Sequence, residues 1–193
     1  TGVLAGTTVS SSDRLSVGAK SPLTGGIKES NAGGIVGARM AGQGLRCIAL
    51  EGAPDQDVGW KIAVIGKDKV ELVDGGFLAG KGVYEKSELL TRKFGTKAGC
   101  VTIGPAAENL LLASGIACSD PHGVCSRYAG RGGLGAVMAS KRVIAMVILD
   151  DGGVKPNFAD AEAFKTGSKL IVQLLKENPV SSLFTKFGTA AMV

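Results

Sequence analysis

The sequence has few aromatic residues, a single histidine and no long apolar run. Aromatic side chains make up 5% of the 193 residues, so a core has to be built mainly from small aliphatic side chains. They are also too few to be interleaved with basic residues as base-stacking platforms, which argues against a nucleic-acid-binding protein. No uninterrupted apolar stretch approaches the roughly 20 residues that cross a bilayer. Residues 1–12 lack a basic region followed by an apolar one, so no signal peptide is predicted.

Glycine is abundant. The chain contains 30 glycines, about twice the usual share of roughly 7%. They follow no period of three, which excludes collagen, and the 45% hydrophobic content argues against disorder. The length fits one domain or at most two small ones. The first residue is not Met, from which we expect the chain to be a fragment.

The net charge is moderate, and the cysteines are few. The chain carries 22 basic and 17 acidic residues, a net charge of +5, without a basic block. This excess suits an anionic ligand as well as it suits nucleic acid. Four cysteines do not make a small disulfide scaffold, so a reducing cytoplasm is the default expectation. Cys47 and Cys100 lie in apolar runs and are predicted to be buried.

Hydrophobic periodicity predicts an α+β domain. Strands are predicted at residues 14–19, 45–50, 60–65, 70–73, 100–103 and 143–149, with a hairpin loop at 66–69. Helices are predicted at residues 84–94, ended by Gly95, and 158–177, ended by Asn178 and Pro179. Early strands followed by a long late helix favour an α+β class over a regular βαβ series.

One short pattern occurs twice. The sequence Gly-Ala-x-Met-Ala stands at residues 37–41 and 135–139, 98 positions apart, each time after a glycine-rich stretch and before a predicted strand. This repetition suggests a duplicated half-domain with a pseudo-twofold axis, in which both glycine-rich turns face one shared site. Chance similarity between glycine-rich loops is the alternative.

The most distinctive glycine-rich stretch is RYAGRGGLGA, residues 127–136. Consecutive backbone N–H groups beside guanidinium groups can cradle phosphate oxygens. The stretch is not a Walker A loop. We also distinguish it from the dinucleotide fingerprint, whose glycines precede a helix, because a strand is the next predicted element. A tight loop with solvated arginines is the structural alternative.

Two other groups of residues invite a chemical interpretation. Asn31, downstream of Arg14, could offer its side-chain carbonyl to a hard cation, although a lone Asn is more often a turn residue. Cys118, His122 and Cys125 lie within eight residues, but their spacing is not a zinc or iron–sulfur pattern. Residues 120–123 are typical of a hairpin turn.

Four segments in order resemble a known family: KSPLTGG at residues 20–26, NAGG at 31–34, IGPAAENL at 103–110, and residues 129–137. The chain resembles the N-terminal domain of the tungsten-containing aldehyde ferredoxin oxidoreductases over nearly its whole length. The resemblance implies an α+β fold whose two β-sheets are related by a pseudo-twofold axis. It implies a cofactor-anchoring β-rich domain at residues 1–155. Residues 156–193 would be a helical segment leading towards C-terminal domains.

The resemblance also implies a cofactor, a tungsten bis-molybdopterin, and the residues that hold it. Arg14 and Arg127 match arginines that bind the pterin phosphates, and Gly33 matches a backbone contact to them. Asn31 and the main-chain carbonyl of Tyr128 match ligands of a magnesium ion between the phosphates. No residue of the chain is expected to be catalytic. The loop at 118–126 is longer than in the simplest members of the family.

For the whole protein, the resemblance implies the oxidation of aldehydes to carboxylic acids with ferredoxin or a related carrier as electron acceptor. A [4Fe–4S] cluster is expected only on the C-terminal domains, and the fragment alone is expected to be inactive. A homo-oligomer is possible, and neither nucleic acid nor membrane is an expected partner. Two alternatives stay open, a non-catalytic module that binds a phosphorylated small molecule and an RNA-binding protein.

Overall fold

A computed structural model describes residues 1–54 and 58–192 of the chain. Its strands are β1 Leu15–Lys20, β2 Ile27–Ala32, β3 Lys61–Ile65, β4 Val70–Asp74, β5 Gly99–Thr102, β6 Ile116–Cys118, β7 Arg127–Ala129 and β8 Val143–Ile148. Its α-helices are α1 Val36–Gly42, α2 Val83–Phe94, α3 Pro105–Glu108, α4 Leu134–Ser140, α5 Ala161–Glu177 and α6 Pro179–Phe187. Two short 3₁₀ helices span Gly76–Leu78 and Gly188–Met192.

The strands form two sheets, which confirms the α+β class with two β-sheets. β1 and β2 make an antiparallel pair, and the other six lie in the order β4-β3-β8-β5-β6-β7. Strands β3 and β8 are parallel, whereas the remaining neighbours are antiparallel. The central strand β8 is a run of Val, Ile, Ala and Met, nearly all of it buried, as expected for a strand covered on both faces.

Several predicted elements are confirmed. The runs at 60–65 and 70–73 form the β3–β4 hairpin, and α2 ends at Gly95, which adopts a φ of 89°. Helix α5 starts after Asp160, whose carboxylate accepts a hydrogen bond from the Ala163 amide. The late helix does end at Asn178, but a further helix starts there. Asn178 caps α6 and Pro179 occupies its first turn, where a missing N–H does no harm.

The predicted strand at residues 45–50 is wrong. The segment has no strand pairing, and Arg46 and Cys47 are exposed. Its composition favours a strand, but a strand persists only when a neighbour satisfies its backbone groups. The expected burial of Cys47 is wrong for the same reason, whereas Cys100, inside β5, is buried as predicted.

The repeated pattern marks two equivalent structural units. Helices α1 and α4 begin and end 98 positions apart, and each follows an antiparallel hairpin, β1–β2 and β6–β7. Gly37 and Gly135 play the same part in both, because a Cβ at either position would lie within 3.0 Å of a backbone oxygen. Both helices therefore pack backbone against backbone, which explains why the pattern needs glycine.

Helices α5 and α6 differ from the other α-helices of the described residues, because neither contains a buried residue. Within residues 1–54 and 58–192, no helix combines the length and the apolar content needed to cross a membrane. The boundary at 155/156 stays a prediction.

Candidate functional site

The β1–β2 hairpin places Arg14 and Asn31 on one exposed face. Alternation along the strands turns Leu15 and Ala32 inward, so their neighbours face outward. The register pairs Ser16 with Asn31. The Arg14 guanidinium donates a hydrogen bond to the Asn31 side-chain oxygen at 2.7 Å. Two residues predicted to bind the cofactor are therefore in direct contact.

Glu29 completes a polar network on this face. Its carboxylate accepts hydrogen bonds from the Ser16 hydroxyl at 2.6 Å and from the Asn31 amide nitrogen at 3.3 Å. The bond from Ser16, followed by that from Asn31, lowers the pKa of Glu29 below its usual value. Glu29 thus stays ionised, and it holds the Asn31 amide with its oxygen towards Arg14.

The two glycine-rich regions of the sequence meet beside this face. Gly34 has a φ of 111°, and a Cβ there would lie within 3.0 Å of the Ser119 carbonyl oxygen and 3.7 Å from the Cγ of Arg127. Arg127 therefore lies next to the turn that follows Asn31. By contrast, a Cβ on Gly33 would meet nothing within 4 Å. The backbone at Gly33 is open to a ligand.

The loop at residues 130–133 is fastened to the hairpin. The Arg131 amide donates to the Ser30 hydroxyl at 3.2 Å, and the Ser21 hydroxyl donates to the Gly132 carbonyl at 2.8 Å. The Lys28 side chain packs so closely over Gly132 that a Cβ there would clash with it. Ser21 of the KSPLTGG segment and two residues of β2 thus hold the second glycine-rich loop in place.

Helix α4 follows this loop, so the expectation that a strand comes next is wrong. The strand before the loop, β7, pairs antiparallel with β6 at the edge of its sheet. A dinucleotide-binding turn lies between a parallel strand and its crossover helix, and β7 is no such strand. The stretch is therefore still distinct from the dinucleotide fingerprint, because β7 is an antiparallel edge strand and not because a strand follows the loop.

Arg127 and Tyr128 both lie on the exposed part of β7. In the described part of the chain, the Arg127 guanidinium has no hydrogen-bond or ion-pair partner, so its charge is available to an anion. The Tyr128 side chain is 48% exposed. Partial burial, with smaller contributions from Tyr84 and Cys125, raises the pKa of its phenol. The phenol is therefore neutral near pH 7 and adds no charge to the site.

These features fit the phosphates of a pterin cofactor. Arg14 contacts Asn31, and Arg127 lies next to Gly34, three residues further along the chain. Their guanidiniums and the open backbone at Gly33 are donors of the kind that bind phosphate oxygens. A magnesium ion would also need the Asn31 side-chain oxygen as a ligand. The Asn31 oxygen now accepts from a cation, Arg14, so the guanidinium has to move away before that oxygen can ligand a divalent cation.

The IGPAAENL segment has a structural role that sequence reasoning missed. The fully buried ammonium of Lys86 donates to the Ile103 carbonyl at 2.6 Å and to the Glu108 carboxylate. Glu108 also accepts from the Gly80 amide at 2.7 Å. Burial lowers the pKa of Lys86, and Glu108 opposes the shift. Asn109 donates to the Pro105 carbonyl at 2.8 Å, a contact within the same turn.

The segment around His122 is a hairpin turn, as predicted. Asp120 accepts from the His122 and Val124 amides at 2.8 and 3.1 Å, and the His122 side chain is exposed. Burial opposes the ionisation of Asp120, but the bonds from Ser126 and these two amides outweigh it and lower its pKa. Within the described ranges, no group of three His, Cys, Asp or Glu side chains could hold a metal ion.

Three thiols lie buried next to this turn. Burial raises the pKa of Cys100 and of Cys118 to about 12 and that of Cys125 to about 11. They are therefore protonated near neutral pH. Thiols in this state are poor nucleophiles.

Known proteins are similar to this chain in sequence. Residues 1–150 match the family model of the aldehyde ferredoxin oxidoreductase N-terminal domain. Tungsten-containing aldehyde ferredoxin oxidoreductases of Pyrococcus furiosus and Thermococcus kodakarensis are each 35% identical over the whole chain. The chain spans 30% of the length of either relative.

A solved structure is also similar. The active-site complex BamBC of benzoyl coenzyme A reductase, in complex with 1,5-dienoyl-CoA, superimposes with a TM-score of 0.80 and 28% identity. The likeness covers 90% of this chain and 25% of the matched chain of that complex.

Proposed function

The chain belongs to the aldehyde ferredoxin oxidoreductase family, and we propose that it anchors a tungsten bis-molybdopterin cofactor by the phosphates of the pterins. The observation that carries this proposal is the meeting of the Arg14–Asn31 face with Arg127 at Gly34. Both arginines are exposed, and the backbone beside them is open at Gly33. Tungsten in the names of the relatives supports the choice of cofactor.

Each residue of the site has a role in this proposal. Arg14, released from Asn31, and Arg127 would hold the pterin phosphates by charge-assisted hydrogen bonds. The Gly33 backbone contacts the same phosphates. The freed Asn31 oxygen and the Tyr128 main-chain carbonyl ligand a magnesium ion, which neutralises remaining phosphate charge. Glu29 keeps the Asn31 amide oriented throughout.

The chemistry of the reaction lies outside this chain. When bound, the cofactor supplies the two-electron oxidation of an aldehyde and water to a carboxylic acid, two protons and two electrons. We propose that the electrons leave through a [4Fe–4S] cluster on the rest of the protein to ferredoxin or a related carrier in the cytoplasm. The chain itself contributes anchoring, and by itself it is inactive.

A second candidate concerns the substrate. The likeness to a benzoyl coenzyme A reductase complex makes a thioester of coenzyme A a second candidate substrate beside the aldehyde. Either substrate leaves the anchoring role of this chain the same. A module that binds a phosphorylated small molecule without tungsten is the alternative that the experiment below separates.

The test is the double variant Arg14→Ala/Arg127→Ala in the full-length enzyme. We expect tungsten and pterin per folded protein to fall at least tenfold, while the melting temperature of the cofactor-free protein stays within about 2 °C, because both side chains are exposed. The control Arg92→Ala/Lys176→Ala removes the same charge from exposed positions elsewhere. Full tungsten in the first variant sinks the assignment of the site. A wild-type protein that retains a phosphorylated ligand but no pterin favours the alternative module.

A further inference from the structure

Glu29 has a free carboxylate oxygen on the exposed face of the β1–β2 hairpin. The hydrogen bonds from the Ser16 hydroxyl and from the Asn31 amide both go to one oxygen, Oε1. Within the described residues, Oε2 accepts no hydrogen bond, and no ammonium or guanidinium nitrogen lies within 4 Å of the carboxylate. A negative charge therefore lies beside Asn31 with no cation in direct contact.

The cation of this network is bound to Asn31 instead. The Arg14 guanidinium donates to the Asn31 side-chain oxygen at 2.7 Å, and the Asn31 amide nitrogen donates to Glu29 at 3.3 Å. Asn31 thus connects a guanidinium on one side with a carboxylate on the other. If the amide turned over, its nitrogen would face Arg14 and its oxygen would face Glu29, and both hydrogen bonds would be lost. Glu29 therefore keeps the Asn31 oxygen available to a cation.

Only one cation can use this oxygen at a time. The guanidinium nitrogen at 2.7 Å fills the space in front of it, and magnesium would have to come closer still, to about 2.0–2.1 Å. Two cations at such short range also repel each other. A phosphate changes the balance, because its charged oxygens attract a guanidinium more strongly than a neutral amide oxygen does.

We propose that Glu29 and Asn31 form one cation site, which Arg14 fills until a phosphate draws it away. Their vacated oxygens then accept a divalent cation, so the anion has to bind before the cation. Glu29 makes this place attractive to a cation, because it adds the negative charge that Asn31 lacks and has Oε2 free to accept. Beyond the proposed anchoring role, on which this inference rests, Glu29 is thus a further binding residue, and loading of the site has an order.

Manganese binding to the cofactor-free protein tests the competition. The probe is Mn²⁺ alone, followed by its EPR signal, on full-length protein from cells that make no molybdopterin. Arg14→Ala should bind Mn²⁺ roughly tenfold more tightly than the parent, because it vacates the Asn31 oxygen. Arg14→Ala/Glu29→Gln should lose that gain, since Gln keeps an acceptor for Ser16 and Asn31 but lacks the charge. Equal affinity of the parent and Arg14→Ala, or a gain that survives in the double variant, overturns the proposal.

Arg127→Ala is the matched control. It removes the same charge beside Gly34 without removing a hydrogen bond to Asn31, so its gain in Mn²⁺ affinity should stay below about threefold. A gain equal to that of Arg14→Ala refutes the competition, because general repulsion then explains both variants. Inorganic phosphate, titrated into the same proteins without metal, checks the anchoring role separately. Weaker phosphate binding in both arginine variants supports anchoring whatever the Mn²⁺ affinities are, so the two proposals can fail independently.

Discussion

Gly33 and Gly34 are neighbours in the sequence, but their backbones meet different surroundings. A Cβ on Gly34 would collide with the Ser119 carbonyl at a φ of 111°, so we expect Gly34→Ala to destabilise the fold by roughly 2 kcal/mol or more. A Cβ on Gly33 meets only open space. Gly33→Ala should therefore leave urea unfolding of the cofactor-free protein within about 0.5 kcal/mol of the parent.

The two variants separate folding from cofactor binding when tungsten is measured on the same samples. If the Gly33 backbone contacts the pterin phosphates, Gly33→Ala should lose tungsten although it is stable. A Gly33→Ala enzyme with full tungsten and unchanged activity would show that the open backbone at this position is unused. Equal stability of the two alanine variants would contradict the packing described for Gly34.

The three buried thiols make stability fall at alkaline pH. The pKa values of Cys100, Cys118 and Cys125 are raised from 9.0 to about 12, 12 and 11, so between pH 9 and 11 the unfolded state releases protons that the folded state retains. The free energy of unfolding therefore decreases with rising pH, by up to about 1.4 kcal/mol per pH unit for each thiol. It is insensitive to these thiols below pH 8.

Urea unfolding at pH 8, 9, 10 and 11 measures this slope. Cys118→Ala should reduce the slope by one thiol's share, whereas Cys47→Ser, at an exposed cysteine, should leave it unchanged. Identical slopes for the parent and Cys118→Ala would mean that Cys118 titrates alike in both states. Dithiothreitol keeps disulfide formation out of the comparison.

At the scale of elements, one buried ion pair joins α2, α3 and the turn at Gly80. Lys86 is fully buried and has Glu108 as its carboxylate partner. Glu108→Gln leaves that ammonium without a counter-charge, and we expect a loss of roughly 3–5 kcal/mol in the free energy of unfolding. Lys86→Met/Glu108→Met replaces the pair with apolar groups and should cost much less. Urea unfolding of both variants checks this, and an unchanged Glu108→Gln would contradict it.

The same scale shows what the sequence could and could not predict. Residues 45–50 and 143–149 have similar apolar compositions, but only the second has neighbouring strands on both sides. Strand formation depends on partners far along the chain, which local composition does not record. Helices α1 and α4 were not predicted from the sequence, for a different reason. Their glycines lower helix propensity, and close packing on neighbouring backbone makes the same glycines necessary.

Some residues described at the candidate site and near it were predicted from the sequence, and others were not. Ordered motifs predicted Arg14, Asn31, Gly33, Arg127 and Tyr128 as site residues. The fold brings Arg14 into contact with Asn31 and places Arg127 beside Gly34. Lys86 gave no signal, because a lysine on an amphipathic helix is normally solvated. Glu29 gave none either, since its partners come from the facing strand.

At the scale of the whole molecule, anchoring and catalysis lie on different parts of one longer protein in our proposal. We therefore expect the natural gene product to be much longer than 193 residues and to contain both tungsten and iron, because the relatives are tungsten enzymes of which this chain spans 30%. Intact mass spectrometry and metal analysis on one sample measure both properties. Tungsten without iron would place electron transfer on another polypeptide. A native chain of about 193 residues, free of metal, would refute the enzyme assignment and leave a binding module.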